Sequence, residues 1–180
     1  MSTLAADDLT LEPQTAAHAD EMFLVLSDPA IYQFENEPPA SPAWLRERFA
    51  RLESRRSVDA EEGWLNWVIR LRHGELIGYV QASVRKDGSA MIAYVLGSRY
   101  WGQGYAHRAV RAMMSELAGQ YGVQEFLAIF KRANVRSRRL LERLSFSETG
   151  AERAALHHVE ADEIFMKRAA QAYGARRLQW

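Results

Sequence analysis

Apolar and polar positions change period along the chain, and each change marks an element. Leu9 to Leu11 is a short apolar stretch closed by Pro13, which fits a brief strand. Thr15 then precedes a helical spacing of Ala19, Met22, Phe23 and Leu26. Asp28-Pro29 ends that helix, because the residue before a proline avoids helical dihedrals. A polar loop over residues 33–40 follows. Ser41-Pro42 opens a second helix, with serine as N-cap and proline at the first helical position. Leu45, Phe49 and Leu52 line its inner face; Arg46, Arg48 and Arg51 form a solvated outer one.

From Trp64 the period shortens to that of strands. Residues 64–71, 76–84 and 90–96 read as three strands, joined by tight turns at His73-Gly74 and Lys86-Asp87-Gly88. Such turns make them antiparallel neighbours. The helical period returns at residues 105–120, where Ala106, Ala109, Val110, Met113, Met114 and Leu117 form one stripe. Residues 124–130 read as a strand. Asn134 caps a helix that turns Leu140, Leu141 and Leu144 inward. Phe146 begins a short strand, and residues 164–166 form a last one. The order predicts an α+β domain with a mixed sheet. The domain is expected over residues 1–172, with a loose tail at residues 173–180.

Composition narrows the function classes. The chain has 180 residues, 23 basic against 23 acidic and 48% hydrophobic. That balance describes an ordinary globular domain and argues against a general binder of nucleic acid or anionic membrane. Cysteine is absent, which excludes disulfides, thiolate nucleophiles and thiolate-ligated metals. The cytoplasm is the expected location. Residues 1–11 do not resemble a signal peptide, and no apolar run approaches the roughly 20 residues of a membrane helix.

The chemically informative stretch runs from Tyr94 to Ala106, where a strand ends, a glycine-containing loop follows and a helix begins. The first turn of a helix has amides without internal partners and the positive end of the macrodipole, which suits a phosphate. Gly102 and Gly104 let backbone approach closely. A bare glycine-rich helix entrance without a ligand is the plainer alternative. A dinucleotide fingerprint needs a third glycine where His107 stands, and a P-loop needs a Gly-Lys-Ser/Thr ending; neither is present.

Arg99-x-x-Gly102-x-Gly104-Tyr105-Ala106 resembles the Q/R-x-x-G-x-G/A signature of the GNAT acetyltransferase superfamily. The wording from Tyr100 to Ala106 is similar to the branch of ribosomal-protein N-terminal acetyltransferases. The stretch Asn134-x-x-Ser137-x-x-x-Leu141-x-x-x-Ser145-Phe146 is similar to the family's second signature, with Ser145 in place of its glycine. The element order extends the resemblance over nearly the whole chain. It implies a mixed, mainly antiparallel central sheet of six to seven strands flanked by about four helices. It also implies an N-acetyltransferase that moves an acetyl group from acetyl-CoA, a cosubstrate, to a primary amine by direct attack.

Site roles follow from the same resemblance. Tyr94, Val95 and Leu96 would offer backbone to pantetheine. The amides of Trp101, Gly102, Gln103, Gly104, Tyr105 and Ala106 would hold the diphosphate, helped by Arg99, and Asn134 would face the pantetheine arm. A further observation concerns charge: Lys131, Arg132, Arg136, Arg138 and Arg139 crowd a helix N-terminus. Exposed cations there oppose the macrodipole by roughly 0.3–1 kcal/mol each, which a bound 3′-phosphate would offset. Arg138 is the candidate contact. A solvated basic face is the alternative.

The catalytic pair departs from common family patterns. Met91 stands where many relatives carry a glutamate, and Leu141 where many carry a tyrosine acid. Ser137 matches the acid suspected in the ribosomal-type branch. Glu35 and Glu37 sit in the loop that borders the acceptor site in such folds and are the candidate bases. His157-His158 points to no metal, since adjacent strand residues face opposite ways and no third ligand is in view. The partner expected is an amine acceptor, with no nucleic acid and no membrane; a homodimer is a family-level expectation. Two other classes stay open: a catalytically weak CoA-binding regulatory module, which Met91 and Leu141 favour, and a nucleic-acid binder using the helix after Asn134.

Overall fold

A computed structural model of the chain describes residues 1–34 and 36–170. Among them, eight strands form one sheet: β1 (Leu4–Ala6), β2 (Leu9–Pro13), β3 (Glu62–Leu71), β4 (Leu76–Arg85), β5 (Ser89–Leu96), β6 (Glu125–Lys131), β7 (Ser147–Glu148) and β8 (Glu163–Ala169). Five α-helices accompany it: α1 (Ala19–Leu26), α2 (Pro42–Leu52), α3 (Tyr105–Gln120), α4 (Val135–Arg143) and α5 (Ala151–Leu156). The sheet order is β1-β2-β3-β4-β5-β6-β8-β7. All pairs are antiparallel except β5 with β6. The mixed α+β class is as the sequence predicts, with slightly more elements. The unpredicted β1 and α5 are three and six residues long, too short to display a period. The expected tail and its boundary lie outside the described residues.

Local chemistry accounts for the helix starts. The Ser41 hydroxyl accepts the Trp44 N–H at 3.1 Å, as an N-cap should. Thr15 instead opens a single 3-10 turn, Ala16–His18, before α1, because its N–H donates to His18 Nδ1 at 3.1 Å. One sheet face packs Trp67, Ile69 and Ile77 against Val110, Met113 and Leu117 of α3. The other packs Val68 and Leu76 against Met22, Leu45 and Phe49 of α1 and α2. Each fully buried side chain of this kind contributes about 1.5–3 kcal/mol relative to exposure.

The parallel pair creates the feature that matters for function. β5 and β6 are in register only over Ser89↔Glu125, Ala90↔Phe126 and Met91↔Leu127. Beyond that, β5 follows β4 to Leu96 while β6 follows β8 to Lys131. The two strands part, and a wedge opens between residues 92–96 and 128–131. Gly78 holds β4 against this part of β5; a Cβ there would collide with the Val95 carbonyl and lie 2.8 Å from the Leu96 Cα. Among the described residues, no helix is long and apolar enough to cross a membrane.

Candidate active site

The wedge opens into two cavities. One, of about 350 Å³, runs toward the start of α3; the other, of about 390 Å³, lies beneath α2. They share Ile31, Phe34, Tyr94, Val95, Asn134 and Ser137, so molecules seated in each can touch at the wedge.

The groove beside α3 is built for an anion. Gly104 is the N-cap of α3 at φ 79°, and Gly102 has φ 76°, left-handed conformations that side chains resist. Trp101 anchors the loop by donating its indole N–H to the Leu96 carbonyl at 2.9 Å. The Arg108 N–H closes on the Gly104 carbonyl at 3.2 Å, which leaves the amides of Tyr105, Ala106 and His107 without helical partners. These amides and the helix dipole favour negative charge. Arg136, Arg139 and Arg143 of α4 line the same groove. The Arg136 guanidinium lies 4.0 Å from the centre of the Trp101 ring and donates to the Gln33 side-chain oxygen at 3.2 Å. Burial, reinforced by Arg111, Arg143 and Arg108, pulls the His107 pKa below its ordinary value.

The cavity beneath α2 has another character. Among the described residues its charged lining is Glu37 and Arg48. On β5 it is Ala93, not Met91, that lines it, so no β5 carboxylate faces this cavity. Ser137 lies at the junction. Its N–H donates to Asn134 Oδ1 at 3.1 Å, and its carbonyl accepts the Tyr94 hydroxyl at 3.4 Å. Burial pushes the Tyr94 pKa up to about 12, partly opposed by the Ser137 side chain. Tyr32, whose hydroxyl donates to the Leu26 carbonyl at 2.7 Å, is likewise pushed up to about 12, by burial and then by Tyr79 and Asp28. Both phenols stay protonated at neutral pH.

The structure sorts the residues singled out in the sequence. Tyr94, Val95, Leu96, Trp101, Gly102, Gly104, Tyr105, Ala106, Asn134 and Ser137 all line the groove, and Glu37 lines the other cavity. Glu35 lies outside the described residues. Arg99 turns away to pair with Glu75, and Gln103 donates to the Arg99 carbonyl at 2.8 Å; neither lines a cavity. Arg138 lines neither, because it is taken by Glu142 at 3.0 Å and Glu148 at 3.3 Å. Lys131 is held by Glu160, Asp162 and Glu163, which raise its pKa above the ordinary value. Arg132 donates to the Glu163 carbonyl at 3.2 Å. Of the five cations crowded near Asn134, only Arg136 and Arg139 line the groove. His107 and Arg143 were not singled out. Arg136, Arg139 and Arg143 recur at helical spacing, which is the signal that could have found Arg143. His157 ends α5 and packs on Phe165 at 4.6 Å between ring centres, so the strand argument does not apply to it. Among the described residues no group of three His, Asp or Glu side chains is placed to hold a metal ion.

Comparison with known proteins agrees with this geometry. The model of the acetyltransferase (GNAT) domain matches residues 8–147. A protein from Bacillus licheniformis described as an uncharacterized N-acetyltransferase p20 is 25% identical over 152 residues, covering 83% of this chain and 85% of its own. The fold is shared with the crystal structure of ribosomal-protein-S5-alanine acetyltransferase from Vibrio fischeri: TM-score 0.77, 15% identity, 96% and 99% of the two chains covered. It is also shared with a ribosomal L7/L12 α-N-protein acetyltransferase in complex with coenzyme A: TM-score 0.76, 17% identity, 93% and 98% covered. With the family's domain model spanning most of its length and its sheet parted where the two cavities meet, the chain belongs to the GNAT acetyltransferase family, and by that membership is an acetyl-CoA-dependent acyltransferase.

Proposed function

We propose that the enzyme transfers the acetyl group of acetyl-CoA to a primary amine, in a ternary complex, within the cytoplasm. The observation that carries this reading is the meeting of two cavities at one wedge. Acetyl-CoA occupies the groove beside α3. The main-chain amides of Gly102 and Gly104, with those of Tyr105 and Ala106 opening the helix, hold the diphosphate; that of Trp101 already donates to the Ser98 carbonyl at 3.1 Å. Arg139 and Arg143 take over the charge role first assigned to Arg138 and Arg99. Pantetheine runs along Tyr94, Val95 and Leu96, and Asn134 lines its path while capping α4.

The acceptor enters from beneath α2. Its amine must be neutral to attack; an α-amine, with pKa of about 7.7–8.0, needs far less help than a lysine near 10.4. That suits a β5 that carries no carboxylate. Glu37, or Glu35 beside it, takes the proton directly or through water. As the C–N bond forms, the main-chain N–H of Leu96, on the edge of β5 turned away from β4, stabilises the oxyanion. The C–S bond then breaks, and the Ser137 hydroxyl protonates the leaving thiolate. With a thiol pKa of about 8.5, that thiolate asks only for a mild acid. Tyr94 holds Ser137 in place through its carbonyl.

The test is thiol release from acetyl-CoA against a panel of amines, with the product weighed by mass spectrometry. The expected result is amine-dependent release matched by an acetylated amine. A regulatory module, the reading that Met91 and Leu141 favour, would bind acetyl-CoA and release no thiol with any amine.

A further inference from the structure

Three carboxamide side chains stand in one file across the sheet, on the face of the cavity beneath α2. The Gln14 N–H donates to the Asn66 carbonyl at 2.9 Å, Asn66 pairs with Gln81, and Gln81 pairs with Ala93. Residues paired directly across antiparallel strands share a face. Gln14, Asn66, Gln81 and Ala93 all line the cavity. Gln14 and Asn66 are only 7% and 8% exposed. The Gln14 Nε2 is buried without an acceptor, and among the described residues neither the Asn66 nor the Gln81 amide makes a hydrogen bond to the protein. A buried amide normally has a partner, and the Gln14 Nε2 lacks one; the Asn66 amide and that of the half-buried Gln81 line the open cavity beside it, where a ligand can meet them.

The chemistry of that surface is specific. A carboxamide donates two hydrogen bonds and accepts others, without charge. It complements groups that also both donate and accept, as peptide amides do. A polyamine offers only donors and positive charge, and needs carboxylates. Among the described residues this cavity has one, Glu37, balanced by Arg48.

The spacing fits as well. Neighbouring strands are about 4.8 Å apart, so Gln81 and Asn66 lie roughly 5 and 10 Å from Ala93 at the wedge. An extended peptide advances about 3.3–3.6 Å per residue. An amine placed at the wedge would set the amides of its first two or three residues over the file.

We infer that Gln81 and Asn66, backed by Gln14, are specificity residues that hydrogen-bond uncharged amide groups of the acceptor. The acceptor is therefore the α-amine of a peptide rather than a polyamine. This inference rests on the acyl-transfer reading above and on the assignment of this cavity to the acceptor.

The experiment compares kcat/KM for tri-alaninamide, alaninamide and spermidine with saturating acetyl-CoA, in the wild type, Gln81→Met and Asn66→Leu. The two peptides have similar amines and differ in the amides beyond. The wild type should prefer tri-alaninamide over alaninamide by about tenfold or more, the scale of one or two hydrogen bonds, through KM rather than kcat. Spermidine should be the poorest. Gln81→Met and Asn66→Leu should bring the ratio of the two peptides close to one, while acetyl-CoA affinity, measured separately, verifies that each variant is folded. If Asn66→Leu does not fold, the near-isosteric Gln81→Met carries the test. A wild-type ratio near one, a preference for spermidine, or an unchanged ratio in Gln81→Met overturns the inference and leaves acyl transfer standing. Bound acetyl-CoA with no thiol release from any amine overturns the acyl-transfer reading, and this inference with it.

Discussion

In the groove beside α3 many of the groups offered to a ligand belong to the main chain, at Gly102 and from Gly104 to His107. In the cavity beneath α2 they are side chains drawn from the end of β2, from β3 and β4, and from the loop between α1 and α2. The first kind of surface is made by local conformation: two left-handed glycines and a helix start. The second is made by strand register, which brings together residues as far apart as Gln14 and Gln81. A side chain can be exchanged there without disturbing the backbone, whereas the groove changes only when its conformation changes.

That contrast can be broken first at Gly104. Replacing it by Asp sets a carboxylate beside the proposed diphosphate site at a left-handed position. Acetyl-CoA affinity by calorimetry should fall on the order of a hundredfold, about 2.7 kcal/mol, a scale that like charges reach in a partly desolvated site. Unchanged affinity would remove the loop from the groove's function. Ser137 tests the junction next. Ser137→Ala should lower kcat about tenfold or more while acetyl-CoA affinity stays within about twofold, the pattern of an interaction confined to the transition state. Equal turnover would take the proton donor elsewhere. The smallest effect separates two neighbouring arginines. Arg139→Ala should weaken acetyl-CoA binding about fivefold, whereas Arg138→Ala, which removes only exposed ion pairs with Glu142 and Glu148, should change it less than about twofold. The reverse order would restore the role first read for Arg138.

The same contrast explains what could be read from the sequence. The strands from Trp64 to Leu96, the helix Tyr105–Gln120 and the caps at Ser41 and Asn134 announce themselves by period and by cap chemistry, which are local. So does the glycine loop. Direction of side chains within a crowded helix start is not local. Arg138 and Arg139 are adjacent, and Glu142 one turn on, together with Glu148 on the neighbouring strand, draws Arg138 away from the groove. Met91 and Ala93 stand two apart on one strand, and where β6 parts from β5 decides which one meets the cavity. The amide file is hidden in sequence because Gln14 is separated from Asn66 and Gln81 by the whole of α1 and α2.

The central claim is that main-chain amides opening α3 hold the diphosphate of coenzyme A. Its most direct test is calorimetric titration of the wild-type protein with coenzyme A and with pantetheine, which lacks the diphosphate and nucleotide. One site per chain for coenzyme A, with pantetheine at least about a hundredfold weaker, is the predicted result. Equal affinity for the two, or no heat with coenzyme A, would contradict it.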